Sequence, residues 1–406
     1  EKSFPVPGWT LPGFLTTGAV QTLIRAYKVA PGSRILISGN GPLNLQVAAE
    51  LIRNGVSVAA VIESSRPNNL RNFGALTNAV WKSPALILKG VSYLRALKKA
   101  NVPVFYNHVL IRAEGVDNVE CGYVAALDNN GRPIPGSERK FEVDTICVGY
   151  GFIPNTELTR LLGCSHNYDR DSGALIVSRN DDGSTSRAGV FSVGDAGELQ
   201  GAQVALAQGV LAGFSAAQNL GRTPSNVAEV AKAKRRLIRH REFQQALWTL
   251  FGNSKVDWVS HSSDSVTICR CEDITVGQIS RVIQNGIDDI GSLKKLTRVG
   301  MGRCQGRYCG PLVVKMLAER TKREPDRWSW FAPRFPVKPL PIGRAARMTK
   351  EWDIATEGFE ASRLAQTFTE SSGNLARHES QVIIIGAGIL GSCTAYFLAR
   401  SGIDVV

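Results

Sequence analysis

The stretch from Ile268 to Pro311 reads ICRCEDITVGQISRVIQNGIDDIGSLKKLTRVGMGRCQGRYCGP and holds four of the chain's eight cysteines. Cys269 and Cys271 form a C-x-C pair, 32 residues intervene, and Cys304 and Cys309 form a C-x4-C pair in a glycine-rich loop. Four thiolates make a closed metal site, and each half has the form of a tight ligand loop. Gly300, Gly302, Gly306 and Gly310 would let backbone amides approach the bound sulfurs at unrestricted φ. Between the halves, VGQISRVIQNGI and IGSLKKLTR place apolar residues at helical spacing, so two short helices are expected to bring the loops together. Zinc also accepts four cysteines, but a C-x-C pair is cramped for it, which favours iron–sulfur over zinc, with a disulfide pair as a third reading.

The segment closely resembles the BFD-like (bacterioferritin-associated-ferredoxin-like) [2Fe–2S] domain, including the TRVGMGRCQGRYCGP run found in one family of amino-acid-oxidising flavoenzymes. The resemblance implies that Cys269, Cys271, Cys304 and Cys309 ligate one [2Fe–2S] cluster. A carrier of single electrons then calls for a two-electron partner, and flavin sites are expected on either side.

Upstream, SRILISGNGPLNLQVAAELIRNGVSVAAVIES from Ser33 reads as strand, glycine turn, helix and second strand. Gly39 and Gly41 suit a tight turn beside a pyrophosphate, and Glu63 ends the second strand where an acid can bind a ribose hydroxyl. The usual third glycine is Asn44, which sets NAD binding against an adenine-nucleotide-only (ATP), vestigial or purely structural unit; Arg66 keeps NADP open. The opening EKSFPVPGWTLPGFLTTGAVQTLI admits no regular structure until a helix near Thr17. It resembles the segment where two-dinucleotide flavin oxidoreductases hand the chain to an inserted domain, and DTICVGYGFIPNTEL resembles the return. GVFSVGDAGELQG sets Gly194 and Asp195 between a strand and a helix. The resemblance implies that this aspartate meets FAD; otherwise it caps the helix.

Downstream, QVIIIGAGILGSCTAYFLARSGIDVV runs a strand into Gly386, Gly388 and Gly391, a complete G-x-G-x-x-G followed by a helix. Its wording resembles the FAD site of the D-amino-acid-oxidase-like family. The expected architecture is α/β: a two-dinucleotide-binding, Rossmann-like flavoprotein fold, a small helical BFD-like [2Fe–2S] domain, and the start of a second FAD Rossmann domain. Its parts are a partial FAD domain at 1–29 and 144–221, an inserted NAD(P)-binding-like unit at 30–143, and a helical connector at 222–262. The cluster domain spans 263–326, a proline-rich tail and linker 327–380, and the truncated second FAD domain 381–406. Trp328, Trp330 and Phe331 would anchor the tail as packing residues. Glu1 is not a natural start and SGIDVV ends mid-fold, so the sequence reads as an internal piece of a longer protein.

At 406 residues and 43% hydrophobic composition, the chain can form two or three domains with real cores. The net charge of +13 centres on AKAKRRLIRHREF at 231–243, but no nucleic-acid motif accompanies it. No apolar run reaches a membrane span. Cys121, Cys147, Cys164 and Cys393 lack pair spacing and read as buried small hydrophobes in a reducing cytoplasm. The order of parts resembles the α subunits of hydrogen cyanide synthase, opine oxidase and proline or hydroxyproline dehydrogenase, followed in one chain by the β subunit. That resemblance implies an oligomeric enzyme that takes hydride from the carbon beside a substrate nitrogen onto the downstream FAD. Electrons would pass singly through the cluster to the upstream flavin and to an acceptor such as a quinone, at the inner face of the membrane. A competing class is an NAD(P)H-dependent flavoprotein reductase; a non-enzymatic one is a ferredoxin-like module on degenerate Rossmann units.

Overall fold

The computed structural model describes residues 1–67, 72–222, 227–252, 256, 262–334, 336–337, 340–343, 380–385, 394–395, 398–399 and 403–405. The chain opens with β1 (Phe14–Thr16) and α1 (Thr17–Thr22), followed by β2 (Arg34–Gly39), α2 (Pro42–Arg53) and β3 (Ser57–Glu63). Next come α3 (Phe73–Lys82), α4 (Pro84–Lys99), β4 (Val104–Tyr106), β5 (His108–Glu114), β6 (Cys121–Ala126), β7 (Arg139–Glu142) and β8 (Thr145–Gly149). One parallel sheet runs in the order β1-β8-β2-β3-β4, and β5-β6-β7 form an antiparallel sheet. β2 and β8 are almost continuous apolar runs because both faces of the parallel sheet are covered. The antiparallel sheet covers one of them, and Gly122 permits the approach: a Cβ there would stand 2.8 Å from Leu36 Cδ2.

Hydrogen bonding draws the first boundary differently from the sequence reading. β8 pairs with both β1 and β2, with Phe14 opposite Ile146 and Gly39 opposite Gly149. β1 and β8 therefore belong to the sheet of the inserted unit, and a division at 29/30 and 143/144 cuts through it. An apolar strand ending in glycines carries no mark of which parallel sheet it joins.

Asn44, at the third-glycine position, fills a polar slot between α2 and the sheet. Asn44 is buried, its Nδ2 donates to the Gly149 carbonyl at 2.9 Å, and its Oδ1 accepts from Thr17 Oγ1 at 2.9 Å. Gly39 and Gly149 leave room for it, since a Cβ on either would meet the Asn44 amide group within 2.5 Å.

The chain continues through α5 (Glu157–Leu161), the hairpin β9 (His166–Asp169) and β10 (Ala174–Val177), α6 (Ala202–Asn219) and α7 (Val227–Phe251). The cluster segment then supplies β11 (Thr267–Cys269), β12 (Ile274–Thr275), α8 (Val276–Gln284), α9 (Ile290–Thr297) and α10 (Gly310–Thr321). α8 and α9 are the two expected short helices. Thr275 and Gln278 close a reciprocal capping box on α8, and Asp289 accepts the Ser292 amide at 2.8 Å to start α9.

The cluster segment shares a core with the rest. Ile268, Ile279, Leu293 and Val313 are fully buried in one cluster with Phe4, Trp9, Leu36 and Ile146, and Trp9 Nε1 donates to the Thr267 carbonyl at 2.6 Å.

Asn44→Ala would leave the Gly149 carbonyl and the Thr17 hydroxyl without this partner, which costs about 1–3 kcal/mol when the groups are buried. A lowered urea midpoint is expected, while Asn54→Ala, at the exposed end of α2, should move it little.

Candidate metal and flavin site

β11 ends on Cys269, and Asp273, at φ 53°, turns the chain into β12, which leaves Cys271 at the tip. On the other side, Arg298 ends α9 at φ 67°, the glycine-rich loop carries Cys304, and Cys309 precedes α10, whose first turn holds Pro311. All four cysteines come together, as two thiol pairs. Cys309 hydrogen-bonds Cys269, and Cys304 hydrogen-bonds Cys271. Cys269 and Cys309 are buried, Cys304 is half-buried and Cys271 exposed, and all four are free thiols.

The electrostatics of this group are those of a cation site. The Cys309 hydrogen bond, with amides of Gly300, Glu272 and Cys271, pulls the Cys269 thiol down to about 6. Cys309 is pushed up by donating to Cys269 and by burial. Burial also raises Cys271, and its bond and charge interaction with Cys304 raise it further. One thiolate forms readily and each neighbour then resists a second, which is the repulsion that bound metal relieves. Among the described residues no three His, Cys, Asp or Glu side chains form a ready site for one ion. Two pairs suit a two-iron cluster that takes two sulfurs on each iron, so the donor set fits [2Fe–2S].

Gly300 acts as expected, its amide reaching the Cys269 sulfur. Gly302 makes room for a cysteine: a Cβ there would lie 2.1 Å from Cys271 Cβ. Gly300, Gly306 and Gly310 also seat the ring of Phe331, which a Cβ would meet at 2.6, 2.3 and 3.3 Å. Phe331 thus packs over the glycine-rich loop that carries Cys304 and Cys309, a role that its place in the tail does not show in the sequence. The tail is fastened by Arg160 on α5, which donates to the carbonyls of Phe331 at 2.9 Å and Trp330 at 3.3 Å. Arg307, in the cysteine loop, pairs with Glu157 at 2.8 Å and binds the Val337 carbonyl. Beneath this strap lies a cavity of about 320 Å³ lined by Asn155, Arg160, Lys294, Arg307 and Trp330.

On the flavin side, Gly194 and Asp195 form a single 3₁₀ turn. Asp195 is exposed and does not cap α6, whose N-cap is Gly201. Beneath it the Gly194 amide donates to Gln208 Oε1 at 2.9 Å, and Arg179 donates to the Ser192 carbonyl at 2.9 Å. Gln208 Nε2, Arg179 Nη2 and Ser192 Oγ are buried with no hydrogen-bond partner among the described residues. Arg179 Nη2 has Glu198 as an ion-pair partner at 4.0 Å; the unused Gln208 and Ser192 groups beside an exposed aspartate fit the oxygen-rich chain of a flavin dinucleotide. Sequence spacing gives no sign of Arg179 or Gln208.

The inserted unit turns its polar groups inward. Gly41 precedes α2 at φ 98°, and its amide donates to Glu63 Oε2 at 2.8 Å; the other oxygen takes the Ser65 amide at 3.0 Å. Burial raises the Glu63 carboxyl, and these bonds, with the Ser65 hydroxyl and the Ser64 amide, oppose the shift. Asn40, between Gly39 and Gly41, donates to the carbonyl of Phe251 at the end of α7 at 3.1 Å. Gly386, Gly388 and Gly391 lie outside the described residues.

Residues 2–209 match the family model for pyridine nucleotide-disulphide oxidoreductase, and residues 267–319 match that for the BFD-like [2Fe-2S] binding domain. The chain belongs to the pyridine nucleotide-disulphide oxidoreductase family, as a member that carries a BFD-like [2Fe–2S] domain. It is an oxidoreductase of the FAD and [2Fe–2S] type. More particularly, it is 35% identical over 347 residues to the HcnB subunit of hydrogen cyanide synthase from Pseudomonas protegens, covering 84% of this chain and 72% of that one. It is 30% identical over 354 residues to an opine oxidase subunit from Agrobacterium tumefaciens, covering 86% and 68%. The fold is shared with L-proline dehydrogenase from P. horikoshii at a TM-score of 0.55 and 16% identity; the match covers 84% of this chain and 56% of that structure.

Gly302→Ala is expected to lower the iron content of anaerobically purified protein sharply, because its methyl group would displace Cys271. Iron analysis and visible absorption check this, with Gly90→Ala on α4, where a Cβ meets nothing and the backbone is not in the left-handed region, as the control.

Proposed function

We propose that this chain is the electron-transferring part of a dehydrogenase that oxidises the carbon–nitrogen bond of a small amino or imino acid, with an acceptor such as a quinone. The observation that carries the reading is the gathering of four cysteines against a flavin-type fold, in a chain so similar to subunits of hydrogen cyanide synthase and opine oxidase. A [2Fe–2S] cluster supplies single-electron carriage when bound, and FAD accepts electrons in pairs.

Cys269, Cys271, Cys304 and Cys309 hold the cluster in this reading, with Phe331 excluding water from its buried side. Gly194 and Asp195, supported by Gln208 and Arg179, meet the flavin. The segment 381–406, with Gly386, Gly388 and Gly391, begins the flavin domain that receives the substrate, so the residues touching the amino acid belong to that domain. Gly39, Gly41 and Glu63 form a Rossmann turn whose amide is already satisfied, which argues against entry of electrons from NAD(P)H there.

The complete protein, assayed anaerobically by dye reduction, should respond to one of glycine, proline, hydroxyproline or an opine. Rapid mixing with NADH should leave its flavin oxidised on the catalytic timescale. Flavin bleaching by NADH with no response to any amine would select the reductase class instead. Cyanide release from glycine would place the enzyme in the cyanide-forming branch.

A further inference from the structure

The cavity beneath the strap is walled by four cations from four separate segments: Arg160 on α5, Lys294 on α9, Arg307 in the cysteine loop and Arg334 in the tail. Two carboxylates also line it, and both are engaged. Glu157 pairs with Arg307 at 2.8 Å, and Glu1 accepts the Gly18 amide at 2.6 Å. Arg160 directs its hydrogen bonds to the carbonyls of Arg327, Trp330 and Phe331, and neither it nor Lys294 forms an ion pair among the described residues. A half-buried cation without a counter-charge gives up solvation that a bound anion would restore. One donor is idle as well: Trp330 Nε1 is buried with no hydrogen-bond partner among the described residues.

Backbone amides do not add the cradle that a phosphate group takes at the start of a helix. At the start of α10 the Gly310 amide donates to the Gly306 carbonyl at 2.7 Å, Pro311 has no amide hydrogen, and the Phe331 ring lies against both glycines. Positive charge therefore reaches the cavity through side chains on separate walls, not through one nest of amides. Ile153, Leu175 and Pro333 complete the lining with apolar surface. Distributed cations with apolar groups among them suit a ligand that carries a charge at each end of a short carbon chain.

We propose that this cavity binds a small organic dicarboxylate and that the bound dianion lowers the reduction potential of the neighbouring cluster. Pockets for small molecules begin at about 300 Å³, so a cavity of about 320 Å³ has room for such a ligand. Guanidinium groups match the planar carboxylate, and Lys294 adds a point charge. The cavity shares Gly306 and Gly310 with the loop that carries Cys304 and Cys309, so the dianion lies beside the cluster's ligands. Negative charge there opposes the arrival of an electron. By reciprocity the oxidised protein binds the dicarboxylate more tightly than the reduced protein does. The effect on potential rests on a [2Fe–2S] cluster held by the four cysteines; it is independent of the amine substrate proposed above.

The test is calorimetric titration of the complete, cluster-loaded enzyme with succinate, and with succinamide and inorganic phosphate for comparison. Potentiometric titration of the reduced cluster's paramagnetic resonance follows in the presence of each; neither readout uses the amine substrate. Succinate should bind saturably and lower the midpoint potential, by about 59 mV for each tenfold preference for the oxidised state. Succinamide, which lacks the charges, should do neither, and phosphate should bind about tenfold more weakly than succinate. Lys294→Gln and Arg334→Gln should each weaken succinate binding by about tenfold, with iron content and melting temperature unchanged. Arg334 is exposed, so its variant keeps the test open if the half-buried Lys294 proves necessary for folding. Absence of succinate binding overturns the inference, as does an affinity unchanged in both variants or a midpoint potential indifferent to succinate. Phosphate binding as tight as that of succinate, or release of flavin by succinate, would also overturn it, the latter by assigning the cavity to the flavin.

Discussion

Four thiols gathered as two hydrogen-bonded pairs cannot all ionise without a counter-charge, and the cysteine-bearing segment of the chain is built around that constraint. The Cys269 sulfur already collects three backbone amides, so one negative charge is stabilised in advance. The second, third and fourth are left to the bound metal. Converging loops need short, firmly capped helices behind them, which the Thr275–Gln278 box and the Asp289 cap supply. They also need a backbone that can pass beside a cysteine, which Gly302 supplies. A half-buried phenyl ring then covers the inner side, while Cys271 keeps an edge of the site open to solvent. A centre shielded on one side and open on another can be tuned in potential by its cover and still exchange electrons through its edge.

Rigidity between redox groups matters as much as the cage. The cluster segment does not hang from a linker: its buried side chains are continuous with those of the parallel and antiparallel sheets, and Trp9 bonds directly to the strand that carries Cys269. Arg160 and Arg307 add a second tie, crossing between α5 and the cysteine loop by way of the tail. The Arg307–Glu157 pair is only partly exposed, so solvent screens it less than a fully exposed ion pair. Two attachments thus join the cysteine site to the sheets and to α5.

The features legible in the sequence were those set by local chemistry: cysteine spacing, the glycine turn at Gly39–Gly41, helix periodicity in α8 and α9, and the strand runs of β2 and β3. What escaped was set by contacts between distant segments. β8 looks like any buried strand, and only its partners show that it closes the sheet of the inserted unit. Asn44 reads as a defect in a glycine motif until Thr17 and Gly149 appear beside its two polar atoms. Phe331 is 22 residues beyond Cys309, and nothing in that spacing says that three glycines seat its ring.

The glycine turn of the inserted Rossmann unit is filled by the chain's own side chains. A dinucleotide site needs free amides at the glycine turn and an open crevice at the carboxyl ends of the strands. Here Glu63 occupies the Gly41 amide and the end of α7 bonds to Asn40. Asn44 locks α2 to β8 with hydrogen bonds that a glycine could not make. Each change exchanges a contact with a ligand for a contact within the chain, so together they stiffen the sheet on which Trp9 and the cysteine strand are mounted. Geometry of this kind favours a scaffold over a port for NAD(P)H.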